Sequence, residues 1–110
     1  MEVSDRVKSV GAVENFFPKG ERDFVFDPVQ NRFVTGSEQG ILGHDGLRES
    51  IGGSPSDVVG GRLSRGPNGE FLTNEWSGHY GHQWTPEIRQ KFIEFMGEHG
   101  LEVAHTPWGG

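Results

Sequence analysis

Apolar residues recur along this chain in two rhythms, and the change from one to the other lays out the fold. In DFVFDPVQNRFVTG, Phe24 and Phe26 alternate with polar neighbours, and Phe33 resumes the run after Pro28, which suits the second position of a turn beginning at Asp27. A hairpin is expected there. DVVGGRLSRGPNGEFLTNEW repeats the pattern: Val58 to Ser64 and Glu70 to Glu75 flank RGPNGE, whose proline and Asn-Gly pair are strong turn signals. Between the two, HDGLRESIGG reads as a short helical turn from about Gly46 to Ile51, stopped by Gly52-Gly53. After residue 84 the rhythm becomes helical. Thr85 suits an N-cap, Pro86 the first helical position and Glu87 the first turn, while Ile88, Phe92, Phe95 and Met96 share one face and Gly100 ends the run. LEVAHT supplies a last strand. Residues 1–22 show no sustained period and read as a linker or arm that docks through Phe16 and Phe17, leaving 23–110 as the working domain. The expectation is an α+β fold: a small, mainly antiparallel sheet of hairpins, one main C-terminal helix packed on it, and a short helix.

Composition narrows the class. A chain of 110 residues is long enough for one core, and 18 glycines with 32% apolar content imply many turns around a core that leans on eight Phe and three Trp. The absence of Cys excludes a disulfide framework and a thiolate zinc site, so the chain can fold in a reducing or an oxidising compartment. No apolar run approaches a membrane span, and Met1 to Gly11 lacks the apolar core of a signal peptide; any export is expected to use a route outside this segment. A net charge of −6 disfavours broad contact with phosphate backbones. No nucleic-acid partner, and no membrane partner for the folded domain, is therefore expected; the domain is also expected to be a monomer. His44, His79, His82, His99 and His105 lack zincin spacing and an acidic cluster, so no metal is expected, and His99 reads as a favourable charge near a helix C-terminus. GGSPSDVVGG lacks the P-loop lysine and the dinucleotide fingerprint, and reads as a loop.

Candidate chemistry concentrates in NEWSGHYGHQW, residues 74–84. Glu75 lies near a strand end beside Trp76, with Tyr80 and Trp84 close in sequence, so aromatic faces and a carboxylate could frame a flat cationic ring. The competing reading makes Trp76 and Trp84 core residues and Glu75 a solvated strand end. Residue types alone leave both open.

GHDGLRESIGG, VVGGRLSRGPNGE, EWSGHY and TPEIRQKFIEFMGEHG, taken in order, resemble the conserved domain of plant IQ-motif calmodulin-binding proteins and the C-terminal toxin domains of bacterial polymorphic and contact-dependent inhibition systems. The resemblance runs from Phe24 to Trp108, and Ser77-Gly78-His79-Tyr80 is its most specific part. Two departures stand out: Asp45-Gly46 occupies a place where that family usually has Ser-Ser, and GHQW is inserted between the motif and the Pro86 helix. AVEN at 12–15 is similar to the junction motif that precedes contact-dependent toxin domains.

The resemblance implies a type II ADP-ribosyl cyclase-like toxin, an enzyme that consumes NAD as substrate, needs no cofactor, travels as the C-terminal part of a larger effector, acts in the target-cell cytoplasm and is held by a cognate immunity protein. Cleavage of the nicotinamide–ribose bond passes through an oxocarbenium-like state and releases a neutral molecule, so one well-placed carboxylate can suffice. Glu75, His44 and His79 are the catalytic candidates on this reading, with Arg62, Arg65, Trp76, Ser77, Tyr80 and Trp84 placed on the substrate. Arg suits the pyrophosphate by its planar fork, and the aromatics suit the bases. The alternative is a metal-independent ribonuclease with His44 and His79 as base and acid. Charge discriminates the two, since a ribonuclease should gather basic residues around its histidines. A third reading, a binding module without turnover, predicts NAD affinity alone.

Overall fold

The computed structural model of the chain describes residues 7–9, 21–36, 43–76 and 80–107. They form a six-stranded sheet and two helices in the order β1 (Val7–Ser9), β2 (Arg22–Asp27), β3 (Arg32–Gly36), α1 (Gly43–Ser50), β4 (Val59–Arg65), β5 (Phe71–Thr73), α2 (Pro86–Glu98) and β6 (Val103–His105). Across the sheet the order is β1-β3-β2-β4-β5-β6. Both expected hairpins are present, β2 with β3 and β4 with β5, and every neighbouring pair is antiparallel except β5 and β6, which α2 joins as a parallel crossover. The α+β expectation therefore holds. Within the segment read as an arm, Val7–Ser9 is an edge strand on β3, while Phe16 and Phe17 lie outside the described residues.

Alternation along the strands sorts side chains onto two faces. Phe24, Phe26, Phe33, Val59, Leu63 and Phe71 point to one face and meet Phe92, Phe95 and Met96 of α2, with Trp84 among them. The helical stripe expected from the sequence is the one buried. Phe92 stacks on Phe24 at 5.4 Å between ring centroids and leans on Phe26 at 5.3 Å. Local signals set the ends of α2: the Thr85 hydroxyl accepts the Ile88 N–H at 3.1 Å, Pro86 opens the helix, and His99 donates from Nδ1 to the Phe95 carbonyl at 2.9 Å. On the other face Val25 and Val34 pack beneath Leu47 of α1, with Val58 and Tyr80 closing the cluster. Helix α1 begins at Gly43, three residues before the expected start, which places His44 in its first turn.

Asn74, Gln83 and Trp84 do the work of a missing strand. On β4, β5 pairs only with Leu63 to Arg65, so Val58 and the outer edge of β4 up to Arg62 need other partners for their backbone. Asn74 donates its N–H to the Arg62 carbonyl and accepts the Arg62 N–H on its side-chain oxygen, both at 3.0 Å. Trp84 donates from Nε1 to the Gly60 carbonyl at 2.9 Å, and Gln83 donates to the Val58 carbonyl. Gly61 permits the crossing, because a Cβ there would run into the Asn74 carbonyl. The aromatics of the stretch then divide: Trp84 joins the α2 cluster, Tyr80 the α1 cluster, and Trp76 stays 54% exposed.

Candidate functional site

On the α1 side, one connected group of polar side chains reaches solvent. Asp23, on the strand position between Arg22 and Phe24, lies 3.6 Å from the Arg62 guanidinium and 3.8 Å from His44 Nε2. Arg62 sits opposite Asp23 in the β2–β4 register and also lies 3.8 Å from Glu21, whose carboxylate accepts from Asn74 at 3.3 Å. Asn74 in turn holds the Trp76 N–H at 3.0 Å, which ties the exposed indole's backbone to the group. His44 donates from Nε2 to the Gly61 carbonyl at 2.9 Å, which fixes its tautomer, and faces Tyr80 edge-on at 6.5 Å. The Tyr80 hydroxyl accepts from Arg48 at 3.1 Å, and Arg48 also donates to the Gly53 carbonyl. This is a partly solvated shelf floored by β2, β4 and residue 74, with the first turn of α1 as its wall.

Glu75 belongs to the opposite, α2 side. Its side chain is fully buried and receives two hydrogen bonds from Arg89 of α2, at 2.6 and 3.0 Å, and one from His105 Nε2 of β6 at 2.8 Å. His105 Nδ1 lies 2.7 Å from the Thr73 hydroxyl, and its ring rests on Trp84 at 4.6 Å and Phe92 at 5.5 Å. Burial pushes the His105 pKa down against the opposing pull of Glu75, which favours the neutral ring, with Nε2–H donating to the carboxylate and Nδ1 accepting from Thr73. The hydrogen bonds to Glu75 hold Arg89 more firmly protonated than usual. Hydroxyl, imidazole and carboxylate in sequence have the composition of a nucleophilic triad. Thr73 is only 2% exposed and the His105 side chain likewise, so the three groups lie sealed from solvent between β5, β6 and α2.

The family model for Bacterial toxin 43 matches residues 1–91. The chain belongs to that family of bacterial toxins. No curated protein and no solved structure gives a significant match. The matched stretch takes in Asp23, His44, Arg62, Glu75 and Arg89 and ends within α2, before β6.

Of the residues singled out from the sequence of this toxin domain, the fold brings His44, Arg62 and Tyr80 to the α1 side, with Trp76 joined to them through Asn74. Glu75 and Trp84 lie on the α2 side, sealed from solvent to within 2% and 6%. Arg65 is apart from both, at the second hairpin turn, its guanidinium 4.1 Å over the Phe71 ring and bonded to the Gly69 carbonyl. Ser77 and His79 lie outside the described residues. Sequence reasoning missed Asp23, Arg48, Arg89 and His105. Two of these carried a signal: Arg89 falls at helical spacing with Phe92 and Met96, and His105 alternates with Leu101 and Val103, so each places a polar group on a core-facing stripe that calls for a buried partner. A shallow cleft lined by Asn31, Lys91, Glu94, Phe95 and Glu98 opens beside α2, and none of the candidate residues lines it.

Proposed function

We propose that this toxin domain consumes NAD, cleaving the nicotinamide–ribose bond to give cyclic ADP-ribose, ADP-ribose or both. One observation carries the reading: a carboxylate, Asp23, stands beside His44 and Arg62 on the solvated shelf and is linked through Asn74 to the exposed Trp76. These are the groups that N-glycosidic cleavage of a dinucleotide needs. Asp23 stabilises the developing ribosyl cation, Arg62 turns its fork to the pyrophosphate, and Trp76 offers a plane for a base. Glu75, the carboxylate in the motif, is enclosed beneath α2, whereas Asp23 is open to solvent on the shelf, so the electrostatic role is assigned to Asp23. His44 and Tyr80 form the wall, stiffened by Arg48. Nicotinamide departs neutral, so no buried acid is required.

The ribonuclease reading has less support. Around His44 three carboxylates, Glu21, Asp23 and Glu49, stand against two guanidiniums, Arg48 and Arg62, which leaves the fork of Arg62 for a single pyrophosphate but offers no run of cations to an RNA backbone. Delivery as part of a larger effector, action in the target-cell cytoplasm and restraint by an immunity protein complete the proposal. Purified protein incubated with NAD, without added metal, should release nicotinamide together with cyclic or linear ADP-ribose on chromatography. Intact NAD at high protein concentration, alongside cleaved RNA under the same conditions, would move the assignment to a ribonuclease.

A further inference from the structure

Glu75 poses a problem that catalysis does not solve. Burying a carboxylate is costly, and a buried ion pair is commonly no more stabilising than apolar side chains of similar volume. Among the described residues its partners include Arg89 from α2 and His105 from β6, with Thr73 of β5 reached through the His105 ring. The backbone at the same residue makes a second close approach, since a Cβ on Gly81 would lie 2.5 Å from the Glu75 carbonyl. The chain leaving β5 and the chain returning at Gly81 therefore touch at Glu75, and one side chain bolts that junction to α2 and β6.

We propose that Arg89 and His105 are positioning residues that act through Glu75 to fix residues 74–76 and 80–84, and with them Trp76 and Tyr80, against the shelf. Arg89 is the directional element. Its planar fork meets both carboxylate oxygens and sets the rotation of Glu75, which a point charge would not. His105 contributes one donor, from Nε2 at 2.8 Å.

Hydrogen exchange on the full chain tests this with Arg89→Lys, Glu75→Gln and His105→Gln, and NAD kinetics on the same proteins supply a second readout. Arg89→Lys keeps the charge and loses the fork, so amide exchange in 74–84 should quicken about tenfold while β2 and β3 stay close to the parent. Glu75→Gln should do the same, and His105→Gln, which keeps a donor to Glu75, should resemble the parent. In NAD turnover, Arg89→Lys should raise KM several-fold with a smaller change in kcat. Exchange that rises equally across the whole sheet, or that is unchanged in 74–84, overturns the proposal. Should Glu75→Gln fail to fold, Arg89→Lys decides alone. The kinetic arm rests on the NAD reading and the exchange arm does not: a parent protein that leaves NAD intact defeats the former, while the exchange pattern still judges the positioning role.

Discussion

Under α2 the sheet buries Phe24, Phe26, Phe33 and Phe71 almost completely, whereas on the α1 side Arg62, Leu72 and Ala104 of the same sheet remain exposed. The difference follows from helix length. The 13 residues of α2 span about 20 Å, enough to cross several strands, while the 8 residues of α1 span about 12 Å and sit mainly on β2 and β3. Alternation along one strand thus serves two ends: Phe24 secures the core while Asp23, one residue earlier, faces the shelf. Stability and candidate chemistry are segregated by face, and each substitution below asks whether that segregation is real.

The largest contrast is between Phe92 and Leu72. Phe92 is fully buried among Phe24, Phe26, Phe33 and Trp84, so Phe92→Ala should cost roughly 3–5 kcal/mol, enough to unfold a domain of this size. Leu72, on the open face and 40% exposed, should cost well under that when truncated, on the order of 1 kcal/mol or less. Thermal or urea melts of the two variants decide it. Similar midpoints would mean that the faces are not energetically distinct.

Gly61→Ala comes next because it strikes where the two faces are joined. The new Cβ meets the Asn74 backbone, which cannot give way as a flexible side chain would, so a loss of at least about 1–3 kcal/mol is expected by the measure of overpacking. A variant that melts with the parent would show that 74–76 does not cross β4 as described.

The elements that were legible in the sequence are those whose signals are local. Thr85, Pro86 and the Phe92, Phe95, Met96 stripe lie within one helix, and both hairpin turns announce themselves within six residues. The site was less legible because its contacts are long-range. Glu75 meets residues 14 and 30 positions away, and nothing near it in the chain tells a solvated strand end from a buried hub. Trp76 and Trp84 share one motif and took opposite fates, since Trp84 immediately precedes the N-cap of α2 and is drawn under that helix, while Trp76 is not. Asp23 passed for an ordinary polar position in an alternating strand until pairing set Arg62 opposite it and α1 brought His44 down beside it.

Acid should act on the α2 side through His105. Burial lowers its folded pKa, so below the ordinary imidazole value of about 6.5 the unfolded chain takes up the proton first. Its contribution to stability is therefore whole above that value, declines as pH falls through it, and stops declining once the folded form is protonated too. The groups facing the ring are Glu75, Arg89 and Thr73, with Trp84 and Phe92 on its apolar sides. Melting temperatures followed from pH 8 to pH 5 should fall more in the parent than in His105→Gln, and parallel curves would mean that another group controls the acid limb.

The smallest effect on stability is expected at Asp23, where the effect on function should be greatest. Its ion pair with Arg62 is 3.6 Å long, and the Arg62 side chain is 45% exposed, so screening leaves it worth no more than about 0.5–1 kcal/mol. Asp23→Asn keeps the volume and one acceptor oxygen, and should melt within a few degrees of the parent. If Asp23 stabilises a ribosyl cation, the lost charge is felt in the transition state and hardly in the ground state, so kcat for NAD should fall roughly a hundred- to a thousandfold with KM little changed. Glu75→Gln supplies the counterpart on the sealed side, since a hub should lose loop order together with activity, whereas a shelf carboxylate should lose turnover in an intact fold. An Asp23→Asn protein that turns over NAD at the parental rate, beside a well-ordered but inactive Glu75→Gln, would return the chemistry to Glu75 and require that its enclosure open on substrate binding.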